Sequence, residues 1–302
     1  QGDWGLEGYA YDALLLDWSP EEAVIHAFNM LDGSKAWSYD TRGINIGAPV
    51  LAYRRVFTVS WEPADDGRST LSTSLHCVDA ETGRQLWQYT VEEARFSAVM
   101  VQYQTAIVTA ARADMTSHEL SYEILAIDMD GDLLWSAPLD AISPAALRPA
   151  VIADGQVFVS DGSALYSFSL ADGQRLWKVA ATEYDLPTAI GFTGVMLAGD
   201  GSIFALSEGV DGSSRYTSIY QVDAAEGDVQ QVFTIDSIDI LSLATHGGRL
   251  YLVGDIDRQN LHGLLALVPS NGSIAWANDN FVGEEFILAV GNNGRLLAGQ
   301  QV

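Results

Sequence analysis

One short pattern recurs along this chain and constrains it more than any other feature: an apolar run, a turn ending in Gly, then three residues and a Trp. It reads LDGSKAW at 31–37, DAETGRQLW at 79–87, DMDGDLLW at 128–135, LADGQRLW at 170–177 and SNGSIAW at 270–276. A sixth copy, DAAEGDVQQ at 223–231, keeps the Asp and Gly but has Gln231 in the Trp place. The positions 37, 87, 135, 177, 231 and 276 are spaced 50, 48, 42, 54 and 45 residues apart. Five of the eight Trp residues fall on this position, so the chain is a repeat protein. Between the turns lie short alternating segments with Gly or Asp at the corners. Residues 146–178 read as four strands, LRPAVIAD, GQVFVSD, SALYSFSL and QRLWKVA, and the same layout returns at 45–89, 95–137, 189–235 and 240–278. No useful length shows helical periodicity.

Four-stranded antiparallel units of 42–54 residues predict an all-β fold, a β-propeller. A single four-stranded sheet has two apolar faces and buries neither alone. Stacking the sheets buries both, and closing them into a ring removes the exposed ends. The repeated Trp belongs on the last strand of each blade, packed onto the next blade over the Gly turn. The repeated Gly belongs there for a positive φ. The reading is one propeller domain over 1–302, with blades near 4–40, 45–90, 95–138, 146–180, 188–235 and 239–278 and closing strands at 284–302. In the first blade DALLLDW, EAVIHAF and KAWSYD supply the second to fourth strands, with GLEGYAY as a first. FILAVG and RLLAGQQV begin another blade. Seven blades is the expectation, with six as the alternative.

This Asp-x-x-x-Gly-x-x-x-Trp pattern resembles the tryptophan-docking motif of the PQQ-like β-propellers, over essentially all of 8–302. That family includes quinoprotein alcohol dehydrogenases and the lipoprotein scaffold of the outer-membrane barrel-assembly machine. The structural motif positions are Gly33, Trp37, Gly83, Trp87, Gly131, Trp135, Gly173, Trp177, Gly227, Gly272 and Trp276. The resemblance implies the fold and says little about function. The quinoproteins use calcium, PQQ and a disulfide between adjacent cysteines. This chain has only Cys77 and about half the length of those enzymes, so the resemblance points to the scaffold and away from a PQQ-dependent dehydrogenase.

Composition narrows the partners. Fifteen Lys plus Arg face 40 Asp plus Glu, a net charge of −25, and only Lys35 and Lys178 are lysines. Such a field repels phosphates and anionic lipid, so nucleic acid is excluded as a partner. The acidity fits a solvated surface in salty or extracytoplasmic surroundings; a high-GC coding bias is the other reading. No apolar run approaches the ~20 residues of a membrane span. The chain opens at Gln1, and the expectation is a mature product whose leader was removed, with a lipid anchor on a missing N-terminal residue left open.

Candidate chemistry is sparse. His26 and His76 each lie seven residues before a turn Gly and could be paired metal ligands. Their equivalents Ile124, Tyr166, Tyr220 and Leu265 favour a repeated packing position instead. DMDGD at 128–132 resembles the start of a calcium loop, but position 139 is Leu where that loop needs Glu. Asp255, Asp257 and Asn260 form a weak cation candidate. Glu21–Glu22, Asp65–Asp66, Glu92–Glu93 and Glu284–Glu285 are adjacent and point to opposite faces of a strand. His76 and Cys77 alternate in the same way, which makes Cys77 a buried thiol rather than half of a dyad. No catalytic residue and no cofactor is assigned.

Long connections are expected between second and third strands near 61–71, 111–119, 208–217 and 255–262. They carry Arg68, Arg112, Arg215 and Arg258, with Trp61 and Tyr216 beside them. On one face these would form an Arg and aromatic rim of the kind that protein interfaces enrich. The alternative is that each Arg pairs with a neighbouring acid. The functional expectation is a non-catalytic scaffold outside the cytoplasm, in the periplasm or at the cell surface, holding another protein within an envelope complex. The alternative is a small-ligand or metal-binding propeller, or a hydrolase, using the central channel.

Overall fold

The computed structural model describes residues 14–19, 22–63, 71–113, 120–140, 149–162, 164–180, 189–197, 201–211, 214–235, 239–246, 249–256, 261–268, 270–278, 286–290 and 296–300. Among these residues all regular structure is strand, every pairing is antiparallel, and no helix is long and apolar enough to cross a membrane. The chain divides into two compact units, 1–139 and 140–302.

The first unit holds three sheets. The first contains Leu14–Ser19, Val24–Asn29 and Lys35–Asp40, the second to fourth strands of the expected blade. The GLEGYAY segment lies outside the described residues. The second sheet contains Asn45–Ile46, Val50–Ala52, Arg55–Pro63, Leu71–Asp79 and Gln85–Val91. The third contains Ala94–Phe96, Met100–Gln102, Thr105–Ala113, Leu120–Asp128 and Leu133–Leu139. In both, the expected first strand is split in two. Pro49, with no N–H to donate, interrupts the ladder of the second sheet, and Thr58 Oγ1 donates instead to Gly47 O at 2.8 Å. In the third, Ser97 makes the break: its N–H bonds Thr109 O and its Oγ accepts from Thr109 N.

The second unit holds two four-stranded sheets at 151–180 and 189–235, a third at 239–278, and a strand pair, Phe286–Val290 with Leu296–Gln300. The expected closing strands therefore pair with each other.

Alternation buries both faces of a sheet. Phe57, Val59, Leu75 and Cys77 face the third sheet and pack with Val108, Leu125 and Ile127. Val56 and Val78 face the first sheet and pack with Ile25, Trp37 and Tyr39. In the second unit Phe158, Leu165, Ile203, Tyr220 and Val222 form the equivalent core. Each fully buried large side chain contributes roughly 1.5–3 kcal/mol, and this stacking is what holds sheets that would be marginal alone.

The pairing of third with fourth strand breaks register once in each of six sheets, always at the Trp position. Ala27 faces Trp37 and Phe28 faces Lys35, skipping Ala36; Cys77 faces Trp87 and Val78 faces Gln85, skipping Leu86. The same skip falls on Leu134, Leu176, Gln230 and Ala275. This β-bulge bends the fourth strand and sends the skipped residue outward; Leu86, Leu134 and Leu176 are exposed.

Candidate interaction surfaces

The repeated Trp and Gly meet across sheets. Trp37 Nε1 donates to Ala80 O at 2.9 Å, and Trp87 Nε1 to Met129 O at 2.6 Å. In the second unit Trp177 Nε1 donates to Ala224 O at 3.1 Å. Each indole lies flat over the next sheet's turn Gly. A Cβ on Gly83 would sit 2.7 Å from Trp37, on Gly131 2.9 Å from Trp87, and on Gly227 2.7 Å from Trp177. Gly83 and Gly227 also have φ of +70° and +78°. Sequence reading placed the Trp over the Gly turn, with φ as the reason for Gly; the closeness of the approach is a second reason for it. It explains why Gly227 persists in the copy that has lost its own Trp. Among the motif positions, Trp276 is the exposed indole, resting against Tyr251 with ring centroids 6.0 Å apart.

The turn aspartates are engaged by their own backbone. Asp128 Oδ1 accepts from Asp130 N and Asp132 N, both at 2.9 Å, and Asp79 Oδ1 accepts from Thr82 N and Oγ1. These bonds hold the Asp79 carboxyl below its ordinary range, the behaviour of a turn-forming Asx residue. DMDGD forms a blade corner whose Asp128 is engaged by the turn's own backbone. Among the described residues no three His, Cys, Asp or Glu are grouped to hold a metal. The Asp255 side chain, Asp257 and Asn260 lie outside the described residues.

His76 is fully buried between the first two sheets. Its Nδ1 lies 2.9 Å from Tyr39 Oη and its Nε2 2.7 Å from Ser60 Oγ, while Tyr39 Oη donates to Gln85 Oε1 at 2.7 Å. Burial holds the imidazole down to about 4 and raises Tyr39 to about 12. A neutral imidazole with a Ser on one nitrogen has the parts of a nucleophilic dyad, but Ser60 and His76 are buried on neighbouring strands of the second sheet, and His76 is tied to Tyr39 of the first. His26, at the equivalent position, is half-exposed and bonds its cross-strand neighbour Ser38 at 2.9 Å. The repeated position is therefore a packing site, and in the fourth sheet it holds Tyr166, whose Oη donates to buried Asp161 at 2.5 Å. Cys77 points the other way, into the core, where burial pushes its thiol up to about 11 and a hydrogen bond from Arg55 offsets only part of that.

Of the expected rim residues, Trp61, Arg112, Arg215 and Tyr216 lie in strands and not in loops. Trp61 is in a strand opposite Thr73 and Asn45, and Arg112 is in a strand opposite Ser121. Arg215 and Tyr216 pair with Val210 and Gly209, and the hairpin closes between Asp211 and Ser214. The connection expected over 208–217 is thus two residues long, because both strands continue their ladder past the end of the sheet core. Arg112 Nε forms an ion pair with Glu123 Oε1, two residues along the adjacent strand from Ser121, so its partner is an acid on that strand rather than in the loop. Trp61 and Arg112 share one end of the second and third sheets. The Arg215 and Tyr216 side chains, Arg68 and Arg258 lie outside the described residues.

Stacked antiparallel sheets with Trp37, Trp87 and Trp177 sealing junctions over the next sheet's Gly have the pattern of the PQQ-like β-propeller class. The family model described as outer membrane protein assembly factor BamB matches residues 21–278, and the chain belongs to that family. Outer membrane protein assembly factor BamB of Yersinia pestis is 23% identical over 325 residues, spanning 90% of this chain and 77% of that protein. Among solved structures, a protein of unknown function from Bacteroides caccae aligns with a TM-score of 0.48 at 15% identity, over 88% of this chain and 93% of the other. The computationally designed Ika8 protein aligns with a TM-score of 0.45 at 11% identity over 96% of each chain. The family membership rests on the sequence match.

Proposed function

We propose that this chain is a non-catalytic scaffold outside the cytoplasm, a single propeller of seven blades that holds another protein within an envelope complex. The observation that carries this reading is the match of 21–278 to the family of the outer membrane protein assembly factor BamB. The site chemistry supports it. Of the groupings that could have been catalytic or metal-binding, His76 bonds Ser60 within its own sheet and Tyr39 of the first sheet, and the DMDGD turn closes a corner. The second-to-third-strand ends, with Trp61, Arg68, Arg112, Arg215, Tyr216 and Arg258, form the contact rim in this reading.

Native mass spectrometry of protein gently purified from its source, with metal analysis of the same sample, tests it. A stoichiometric protein partner, lost when Arg112 and Arg215 are replaced by Glu, is the expected result. A partner-free monomer carrying one tight calcium ion or organic ligand would overturn it.

A further inference from the structure

The first unit carries a second surface, at the opposite end of its sheets from Trp61 and Arg112. The hairpins joining first to second strands have two central residues between paired flanks: Ala52 opposite Arg55, Gln102 opposite Thr105 and, in the second unit, Ala153 opposite Gln156. Such turns need φ > 0 at both central residues, hence their preference for Asn-Gly or Asp-Gly. The fourth sheet obeys this with Asp154 and Gly155, and the sequence between the paired His246 and Arg249 is Gly-Gly. The second and third sheets do not. They place Tyr53 and Arg54 at φ +50° and +62°, and Tyr103 and Gln104 at φ +49° and +58°. A bulky residue in this region strains the backbone, and strain of this kind gathers at functional positions.

Packing does not account for these tyrosines, since they are 49% and 53% exposed. Their turns lie at one end of the unit. Arg54 O accepts from Ala80 N, tying the Tyr53 turn to the 80–83 corner. Arg55 donates to Met129 O, tying it to the corner of the third sheet. Trp37 over Gly83 brings in the first sheet, whose own corner exposes 88% of Leu31. Exposed carboxylates, Asp32, Asp130 and Asp132, occupy the same corners, where Glu81 pairs with Arg54.

We infer that this end of the first unit, centred on Tyr53 and Tyr103, is a docking surface for a protein whose own face presents an apolar patch bordered by Lys and Arg. Rigid, exposed aromatics supply contact area at low entropic cost. The acidic corners and the net charge of −25 select a basic border. The inference takes from the proposed function only that the partner is a protein.

The test uses the full chain with Tyr53→p-benzoylphenylalanine or Tyr103→p-benzoylphenylalanine, photo-crosslinked in its source cells, and the same crosslinker at Arg112 as the opposite end. The captured protein is identified, purified and titrated at low and high salt against the wild type. It is also titrated against a variant combining Tyr53→Asn, Arg54→Gly, Tyr103→Asn and Gln104→Gly. Expected are adducts from both tyrosine positions to one Lys- and Arg-bordered patch of the same partner, and binding that weakens with salt. The combined variant should melt a few degrees higher because its turns are relaxed, yet bind on the order of tenfold more weakly. Adducts from Arg112 alone, adducts only to a second copy of this chain, an acidic patch, or unchanged affinity in the relaxed variant would overturn the inference. The first of these leaves the scaffold reading standing; absence of adducts at all three positions sinks both.

Discussion

Gly33 and Gly83 occupy the same place in the repeat, yet they answer to different constraints. Both have φ near +70°, but a Cβ on Gly33 would meet nothing within 4 Å, whereas one on Gly83 would enter the indole of Trp37. Gly33→Ala is expected to lose about 1 kcal/mol in urea unfolding, the cost of a left-handed non-Gly residue. Gly83→Ala should lose about 3 kcal/mol, because overpacking adds to that cost; equal losses would remove the close-approach argument. His76 makes a pH prediction. Its imidazole is neutral in the fold, at about 4 against 6.5 when free, so the unfolded chain takes up the proton first. The sign follows: the stability tied to this group is complete above pH 6.5 and is lost as pH falls toward 4, by up to about 3 kcal/mol. Urea midpoints across that window should fall more steeply in the wild type than in His76→Gln. Parallel curves would assign the acid sensitivity to other groups.

At the scale of the element, the repeated β-bulge decides what the fourth strand shows to solvent. A strict alternation would place the residue before each Trp on the opposite face of a flat edge. The bulge instead leaves Leu86, Leu134 and Leu176 outward and turns the neighbouring indole onto the adjacent sheet, and it also bends an edge that would otherwise invite pairing with another chain. Leu176→Lys is therefore expected to change stability by less than about 0.5 kcal/mol. Trp177→Ala, which removes the bond to Ala224 O and the packing on Phe158, should cost about 3 kcal/mol. Chemical denaturation of the two single variants checks the contrast one residue apart.

Across the whole molecule the dominant quantity is charge. Forty acids against fifteen bases repel one another in the folded chain, while the ion pairs among described residues, Arg54–Glu81 and Lys178–Asp140 among them, are partly exposed and worth little each. Raising ionic strength from about 0.01 M to about 1 M shortens the screening length from ~30 Å to ~3 Å and relieves the repulsion. The melting midpoint should rise with NaCl; a fall would mean that attractive pairs outweigh the excess negative charge.

Sequence alone determined the class of this protein, because its information is local and periodic. A Gly every 42–54 residues needs a positive φ, alternating apolar residues need a sheet, and a repeated Trp needs a neighbour to cover it. The blade corners, the fourth-strand position of the Trp and the buried state of Cys77 follow from that pattern. Decisions that join residues distant in the chain came only with the tertiary structure. The hydroxyl that holds His76 comes from residue 39, and the acid that pairs with Arg112 from the adjacent strand. Arg215 and Tyr216 were expected in a long connection near 208–217. The ladder continued through them, since an antiparallel hairpin extends wherever both strands can keep exchanging backbone hydrogen bonds, whatever the polarity of the side chains. The strained tyrosine turns were invisible for a related reason: Tyr-Arg carries no turn signal, and only the pairing of Ala52 with Arg55 forces a left-handed backbone there.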